Sequence, residues 1–312
     1  MNETSPTQDA TKQDVRIFWG AVYDAAYTEV DRDLNSASLL ERLGELEAMF
    51  RLRRHMATEE MPVDELGGKS VLEIGPGAGG HSALYAAKGA HMTSIDITFS
   101  RAQATQTKFD LLGDRARGCA ALQGDAENLP FPDGCFDIVY SNGVLHHTPD
   151  TERAIDEVYR VLKPGGRAVI MLYCKTSFDY WFNRWFCEGL LLGRMFRSRN
   201  WLGNATEWPG ARKSQTVINP ITRCYTRGGI GRLFHQFEDL RLRKSEFYFY
   251  LIPKLGRIYR RWQIKHYGVH PGGLLVYGEP WPIVSGVEVF LGRVMGWAWN
   301  IVAHKPERGD AP

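Results

Sequence analysis

Three glycines at alternate positions, Gly75, Gly77 and Gly79, follow the short apolar run Val71-Leu72-Glu73-Ile74. Two acidic residues, Asp96 and Asp125, close later apolar runs, and the pair His146-His147 follows a fourth. Each residue type suggests a chemistry. Glycine lacks Cβ, so the chain can turn sharply and a ligand can press against the backbone. A helix starting there points free N–H groups at whatever lies in the turn. Asp96 stands 21 residues after Gly75, where an acidic side chain can accept both hydroxyls of a ribose. Asp125, in Gly124-Asp125-Ala126-Glu127, is placed to meet an adenine amino group. Histidine titrates in the range suited to a general base. Alone, the glycine pattern fits a dinucleotide, a sulfonium nucleoside or only a tight corner. Each aspartate alone fits a helix cap or a turn. Their joint occurrence at successive strand ends favours a ligand site.

Apolar periodicity gives the elements that must position these residues. Residues 70–74, 91–96, 120–123, 136–141 and 167–173 read as strands, and 79–88, 100–112 and 151–162 as helices. Lys163-Pro164-Gly165-Gly166 reads as a turn. The alternation implies right-handed crossovers and a doubly wound parallel sheet. Such sheets bind ligands outside the carboxyl ends of their strands, where Asn142 and Gly143 also fall and where the chain would pass beneath the ligand. Upstream, Val15, Phe18, Trp19, Val22 and Tyr23 form a helical stripe within 14–54. Downstream, 178–196 is apolar, aromatic and helical in pattern, 198–219 reads as a long loop, and 226–236 as a helix. Residues 240–250 and 297–303 are strand candidates, separated by a basic amphipathic stretch, 254–267.

The chain has 312 residues, enough for one large α/β domain with insertions or for two domains. Its net charge of +2 is unevenly spread. Residues 1–173 hold 17 basic against 26 acidic side chains, and 174–312 hold 21 against 10. The basic half could face a phosphate, a carboxylate or an anionic membrane. No apolar run approaches the ~20 residues of a membrane-spanning helix. The polar start, 1–14, has no secretory pattern and reads as a frayed terminus, with a cytoplasmic location expected. Five scattered cysteines form no C-x-x-C pair, which argues against a disulfide framework and structural zinc. The histidines show no metal-ligand spacing, so no metal is expected.

The segments Leu-Glu-Ile-Gly-Pro-Gly-Ala-Gly, Ser-Ile-Asp-Ile-Thr, Gly-Asp-Ala-Glu-Asn-Leu-Pro-Phe-Pro, Phe-Asp-Ile-Val-Tyr-Ser-Asn-Gly-Val-Leu-His-His-Thr and Arg-Val-Leu-Lys-Pro-Gly-Gly, spread over 69–173, together resemble the class I S-adenosylmethionine-dependent methyltransferases. Within them the chain resembles the small-molecule branch around the ubiquinone/menaquinone methyltransferases. The resemblance implies an α/β, Rossmann-like, doubly wound sheet of seven strands with a terminal antiparallel hairpin, supplied by 240–250 and 297–303, plus helical lid and insertions. The expected division is an N-terminal helical lid (1–66), a cofactor-binding core (67–174), a substrate lid (175–239) and C-terminal core strands with a basic helical insertion (240–312). The resemblance places the methionine part of S-adenosylmethionine along Gly75–Gly79, with Glu73 orienting that loop. The ribose falls on Asp96, with Ile97 beside the adenine and Asp125 and Ala126 reading its amino group. Glycine spacing alone does not exclude a nicotinamide dinucleotide. The Gly-Asp-Ala-Glu-Asn-Leu-Pro-Phe and Lys-Pro-Gly-Gly segments do, because the dinucleotide fingerprint makes no demand for them.

Methyl transfer is an in-line displacement needing alignment, exclusion of water and, for a hydroxyl acceptor, removal of a proton. His146, and behind it His147, are the candidate bases. Trp19, Tyr23, Tyr173, Tyr225, Trp181 and Trp185 are expected to line an apolar or ring-bearing pocket, with Arg223 for an anionic group. The expected activity is methylation, at oxygen, of a small secondary-metabolite, sugar, quinone or lipid-linked scaffold. The rivals are an N- or C-methyltransferase and a non-catalytic cofactor-binding scaffold. A specific nucleic-acid partner is not expected, because Ser141-Asn142-Gly143-Val144 stands where amino-directed nucleic-acid enzymes carry their Asn/Asp-Pro-Pro-aromatic motif. The basic stretch 254–265 suits weak peripheral contact with an anionic membrane.

Overall fold

The structure, a computed structural model, describes residues 6–197, 201–202, 219–252, 254–268 and 284–307. Three helices come first: α1 (Pro6–Asp31), α2 (Ser36–Arg53) and α3 (Met56–Glu59). Alternation follows with β1 (Ser70–Ile74), α4 (Gly80–Ala87), β2 (His91–Asp96), α5 (Phe99–Leu112), β3 (Ala120–Gln123), β4 (Phe136–Asn142), α6 (Thr151–Val161) and β5 (Leu162–Tyr173). A π-helical segment (Asp179–Leu191) and α7 (Arg194–Arg197) lead towards α8 (Arg227–Leu233) and β6 (Glu238–Ser245). Then α9 (Leu255–Tyr267) and α10 (Gly286–Met295) precede the last strand, β7 (Ala298–His304).

The strands form one sheet in the order β3-β2-β1-β4-β5-β7-β6. The first five are parallel, and β7 runs antiparallel between β5 and β6, with Ile301 opposite Ile170 on one side and Leu242 on the other. The strands read as near-continuous apolar runs because helices cover both faces. In β1, Val71 joins the layer holding Tyr85 and Tyr140, while Leu72 joins the opposite layer with Val139 and Val158. Successive side chains point to opposite faces, so one strand feeds both cores. The order reverses at β1, which places the glycine turn at the switch point. Ile301 is fully buried in the second layer. Ile301→Ala is expected to cost about 2–5 kcal/mol, read as a lower denaturant midpoint with an unchanged slope.

Several local expectations need correction. Pro6–Asp14 belongs to α1, so the start of the chain is helical over those residues rather than frayed. The Lys163–Gly166 turn lies within β5: pairing passes from Leu162 opposite Phe136 directly to Arg167 opposite Ile138, leaving the four residues as a bulge. The strand expected over 240–250 stops at Ser245, because Glu246 takes a left-handed φ of 68° and turns the chain out of the sheet. The loop expected over 198–219 lies outside the described residues apart from Trp201, Leu202 and Asn219.

Candidate functional site

Two positions of the glycine turn leave no room for a side chain. Gly75 and Gly77 have φ of 73° and 56°, which disfavours any side chain. A Cβ on Gly75 would come within 2.3 Å of Val144, and one on Gly77 within 2.6 Å of the Tyr23 ring. Gly79 does different work: its Cβ would lie 2.9 Å from the Thr105 backbone, so it lets α4 pack on α5. Glu73, 1 % exposed, accepts a hydrogen bond from Ser82 Oγ in the first turn of α4 and so ties that helix to β1 beneath the turn.

Gly75, Gly77, Asp96, Ile97, Asp125 and Ala126 converge on one cavity of about 80 Å³. Asp96 Oδ1 accepts from the Thr98 amide and hydroxyl, both at 2.8 Å, which fixes the carboxylate at the strand end. Burial raises its pKa above the usual carboxylate value, against the hydrogen bonds from Thr98 and the Gly77 amide. Asp125 Oδ1 accepts from the Glu127 amide at 2.9 Å, while Oδ2 meets Lys12 of α1 at 2.6 Å. Lys12 also reaches Glu127 at 2.8 Å.

Helix α1 closes this cavity from outside. Trp19 and Tyr23 line it, Arg16 Nε donates to the Ile97 carbonyl at 3.1 Å, and Asp24 and Asp31 pair with Arg101 and Lys108 of α5. At about 80 Å³ the space falls below the ~300 Å³ at which ligand pockets usually begin. A nucleoside fits only if α1 gives way.

A second cavity, about 370 Å³, adjoins the first: Trp19, Tyr23 and Gly143 line both. Asn142 and Tyr173 stand on its wall beside rings from β6–β7, Tyr248 and Trp297. The cavity also holds charge. Arg184 Nε pairs with Asp179 at 3.1 Å. Glu246, just past β6, presents a carboxyl whose pKa burial pushes up to about 7, with Arg53 and Arg243 pulling it down. Its left-handed φ of 68° is unusual for a residue with a side chain and is held by its carbonyl, which accepts from the Trp297 amide at 3.0 Å. Sequence reasoning missed Glu246, Arg53 and Lys12. Nothing local marks them: Glu246 reads as one polar position in a strand, Arg53 as a surface cation on a helix, and Lys12 as part of a polar terminus.

Six expected residues need restating. His146 has 0 % exposure and lines neither cavity, and its ring packs on Tyr173 with centroids 3.8 Å apart. Burial, then His147, holds its pKa well below the usual value. It therefore occupies a packing position rather than the cavity wall. His147 does line the smaller cavity, 5.1 Å from the Trp19 ring. Its Nδ1–H donates to the Ile221 carbonyl at 2.7 Å, and Nε2 has no hydrogen-bond partner among the described residues. Burial brings its pKa down to about 4. Arg223 lines neither cavity, since its guanidinium donates to the Thr148 and Pro149 carbonyls and clamps the loop after β4. Tyr225 also lines neither, because it pairs with Cys174 alongside β5. Trp181 and Trp185 turn outward, 51 % and 37 % exposed.

A methyltransferase-domain family model matches residues 72–170, the stretch holding the glycine turn and both aspartates. The chain carries a class I S-adenosylmethionine-dependent methyltransferase domain. The chain is 33 % identical over 119 residues to the ubiquinone/menaquinone biosynthesis C-methyltransferase UbiE of Vibrio vulnificus, covering 36 % of this chain and 44 % of that protein. It is 35 % identical over 152 residues to the chloroplastic tocopherol O-methyltransferase of Arabidopsis thaliana, covering 46 % and 42 %. The chain thus spans less than half the length of these relatives. Among solved structures, a protein of Galdieria sulphuraria assigned as a sarcosine dimethylglycine methyltransferase shares the fold, with a TM-score of 0.52 at 15 % identity over 84 % of this chain and 88 % of that one. The residues around the smaller cavity of the methyltransferase domain fit S-adenosylmethionine. The turn leaves backbone rather than side chain facing the ligand, Asp96 is anchored at the strand end, and Asp125 stands at the next strand end with apolar Ile97 and Ala126 between.

Proposed function

We propose that the chain methylates a small, ring-bearing molecule at an oxygen atom, using S-adenosylmethionine. The observation that carries this reading is the junction at Gly143, Trp19 and Tyr23 of the cleft lined by the glycine turn and both aspartates with a larger aromatic cavity that holds the buried carboxyl of Glu246. Asp96 would hold the ribose, Asp125 the adenine amino group, and Gly75 and Gly77 the methionine part. Bound there, the cofactor supplies a methyl group on a sulfonium leaving group. The chain does the rest. Trp19 and Tyr23 of α1 exclude water at the junction. Tyr173 and Trp297 hold the acceptor ring in line, which alone lowers the barrier. Glu246 accepts the proton that the hydroxyl must lose, near neutral pH where its carboxyl titrates. Access for the cofactor requires α1 to swing out and Lys12 to release Asp125. The carboxyl suits an acceptor that loses a proton, as a hydroxyl does, and the tocopherol relative is named for O-methylation while the UbiE relative is named for C-methylation.

The test is transfer of labelled methyl from S-adenosylmethionine to a panel of phenols, quinols, sugars and prenylated rings, with products identified by mass spectrometry. An O-methylated ring product is expected. Calorimetric binding of the cofactor with no transfer to any acceptor would support a non-catalytic scaffold instead.

A further inference from the structure

Two helices, α9 and α10, and the π-helical segment, all between the parallel core and its last strand, are built inside out. In α9 the buried positions are Gly256 and Gln263, whereas Leu255, Ile258 and Trp262, at helical spacing, are 49 %, 67 % and 42 % exposed. In α10 the buried positions are Glu288 and Gly292, and Val287, Phe290 and Val294 face out. The π-helical segment repeats the inversion. Asp179 and Arg184 pair on its inner side, while Trp181 and Leu191 are exposed. Inward polar groups tie these segments together. Glu288 accepts from Tyr259 Oη at 3.0 Å and from the Phe249 amide at 2.8 Å, joining α10 to α9, and Asn183 Nδ2 donates to the Leu251 carbonyl at 3.0 Å. Asp179, Arg184, Tyr259 and Glu288 line the larger cavity, so the same helices wall the cavity and carry the outward apolar ridges.

A soluble helix normally buries its apolar stripe, and contiguous exposed apolar surface marks an interaction site. Charge identifies the occupant. On α9, Arg257, Arg261 and Lys265 are exposed at i, i+4 and i+8, beside the apolar ridge, and no acidic residue occurs from Leu255 to Tyr267. No helix among the described residues is long and apolar enough to cross a membrane. A basic ridge flanking an apolar one on a short helix is the pattern of a helix lying in a lipid interface. A second copy of the chain is a poorer occupant, because a two-fold contact would set the same cations against each other.

We infer that the outward faces of α9, α10 and the π-helical segment dock this protein on an anionic lipid bilayer, with the rings inserted at headgroup depth. Docking stands on the surface alone and does not need the methyl-transfer reading. If both hold, the larger cavity is walled by the membrane-bound helices and suits an acceptor drawn from the lipid phase.

The test uses the full chain with vesicles of phosphatidylcholine alone and of phosphatidylcholine with phosphatidylglycerol. Co-sedimentation with the anionic vesicles is expected, at least tenfold stronger than with neutral ones and weakened by salt. Ile258→Ser with Trp262→Ser should lower binding at least tenfold, as should Arg257→Gln with Arg261→Gln and Lys265→Gln. Quenching of wild-type tryptophan fluorescence by bromine-labelled lipid gives a second reading that needs no variant. Absence of both co-sedimentation and quenching would overturn the proposal. So would vesicle binding unchanged in both sets of variants, or a concentration-dependent dimer, seen by light scattering, that the serine variants dissolve while vesicles bind nothing. Cofactor affinity measured on the same samples is expected to be unchanged in the variants, which keeps failure here separate from failure of the proposed activity.

Discussion

Asp96→Asn is expected to weaken S-adenosylmethionine binding roughly 10- to 100-fold, with the fold intact. A hydrogen bond to a charged group contributes about 1.5–3 kcal/mol, and each 1.4 kcal/mol is a factor of ten in affinity. A ribose offers two hydroxyl donors to this carboxylate. Asparagine keeps one oxygen, which can still accept from the Thr98 amide and hydroxyl, both 2.8 Å from Oδ1. It replaces the other oxygen by a donor and removes the charge. Alanine would also remove the anchor that starts α5, so its loss of affinity would mix binding with folding. Isothermal titration gives the affinity, and the thermal midpoint without cofactor gives the fold. An unchanged dissociation constant in a folded Asp96→Asn protein would show that the ribose lies elsewhere.

Glu246→Gln is expected to lower kcat roughly 100-fold while leaving cofactor affinity as it is. A positioned general base contributes about 10²–10⁴ in rate, and glutamine keeps the shape without the basic oxygen. The pH profile separates this role from a structural one. Burial pushes the Glu246 carboxyl up to about 7, so the wild-type rate should climb through pH 7 and level off above it. The glutamine variant should lack that limb. Stability runs the opposite way. A carboxyl whose folded pKa is raised contributes its full stability below its unfolded pKa and loses it as pH rises through about 7. The variant should therefore gain denaturant resistance relative to wild type above neutral pH and show no gain in mild acid. A variant with wild-type turnover and an unaltered profile would remove Glu246 from the reaction. The proton would then need another acceptor or an acceptor molecule that needs none.

The two experiments address different ends of the same cleft. Asp96 closes β2 and Glu246 follows β6, at opposite sides of a sheet whose order is β3-β2-β1-β4-β5-β7-β6. What joins them is the loop after β4, where Gly143 lines both cavities, and helix α1, which lays Trp19 and Tyr23 across both. Helix α1 is therefore a wall common to both cavities. Its ties are ion pairs: Lys12 to Glu127 and Asp31 to Lys108 each have one buried partner, and Lys12 to Asp125 is partly exposed on both sides.

Read alone, the chain determined its parallel core and the acids at the ends of its second and third strands. Those features are local: an apolar run, a turn that only glycine allows, and an acid at the next strand end each lie within a few residues of one another. It also determined that the second half is basic and aromatic. Only the tertiary structure decided what those residues face. His146 and Arg223 had suitable chemistry, but the fold puts one against Tyr173 and spends the other on two loop carbonyls. Glu246 had no signal, because its raised pKa comes from burial in the wall of the larger cavity, and its conformation from a turn that ends β6. Trp181 and Trp185 of the π-helical segment suggested a pocket by composition, yet both face outward. Periodicity shows that a helix has an apolar stripe, and only the packing of its neighbours shows whether that stripe is the side turned in.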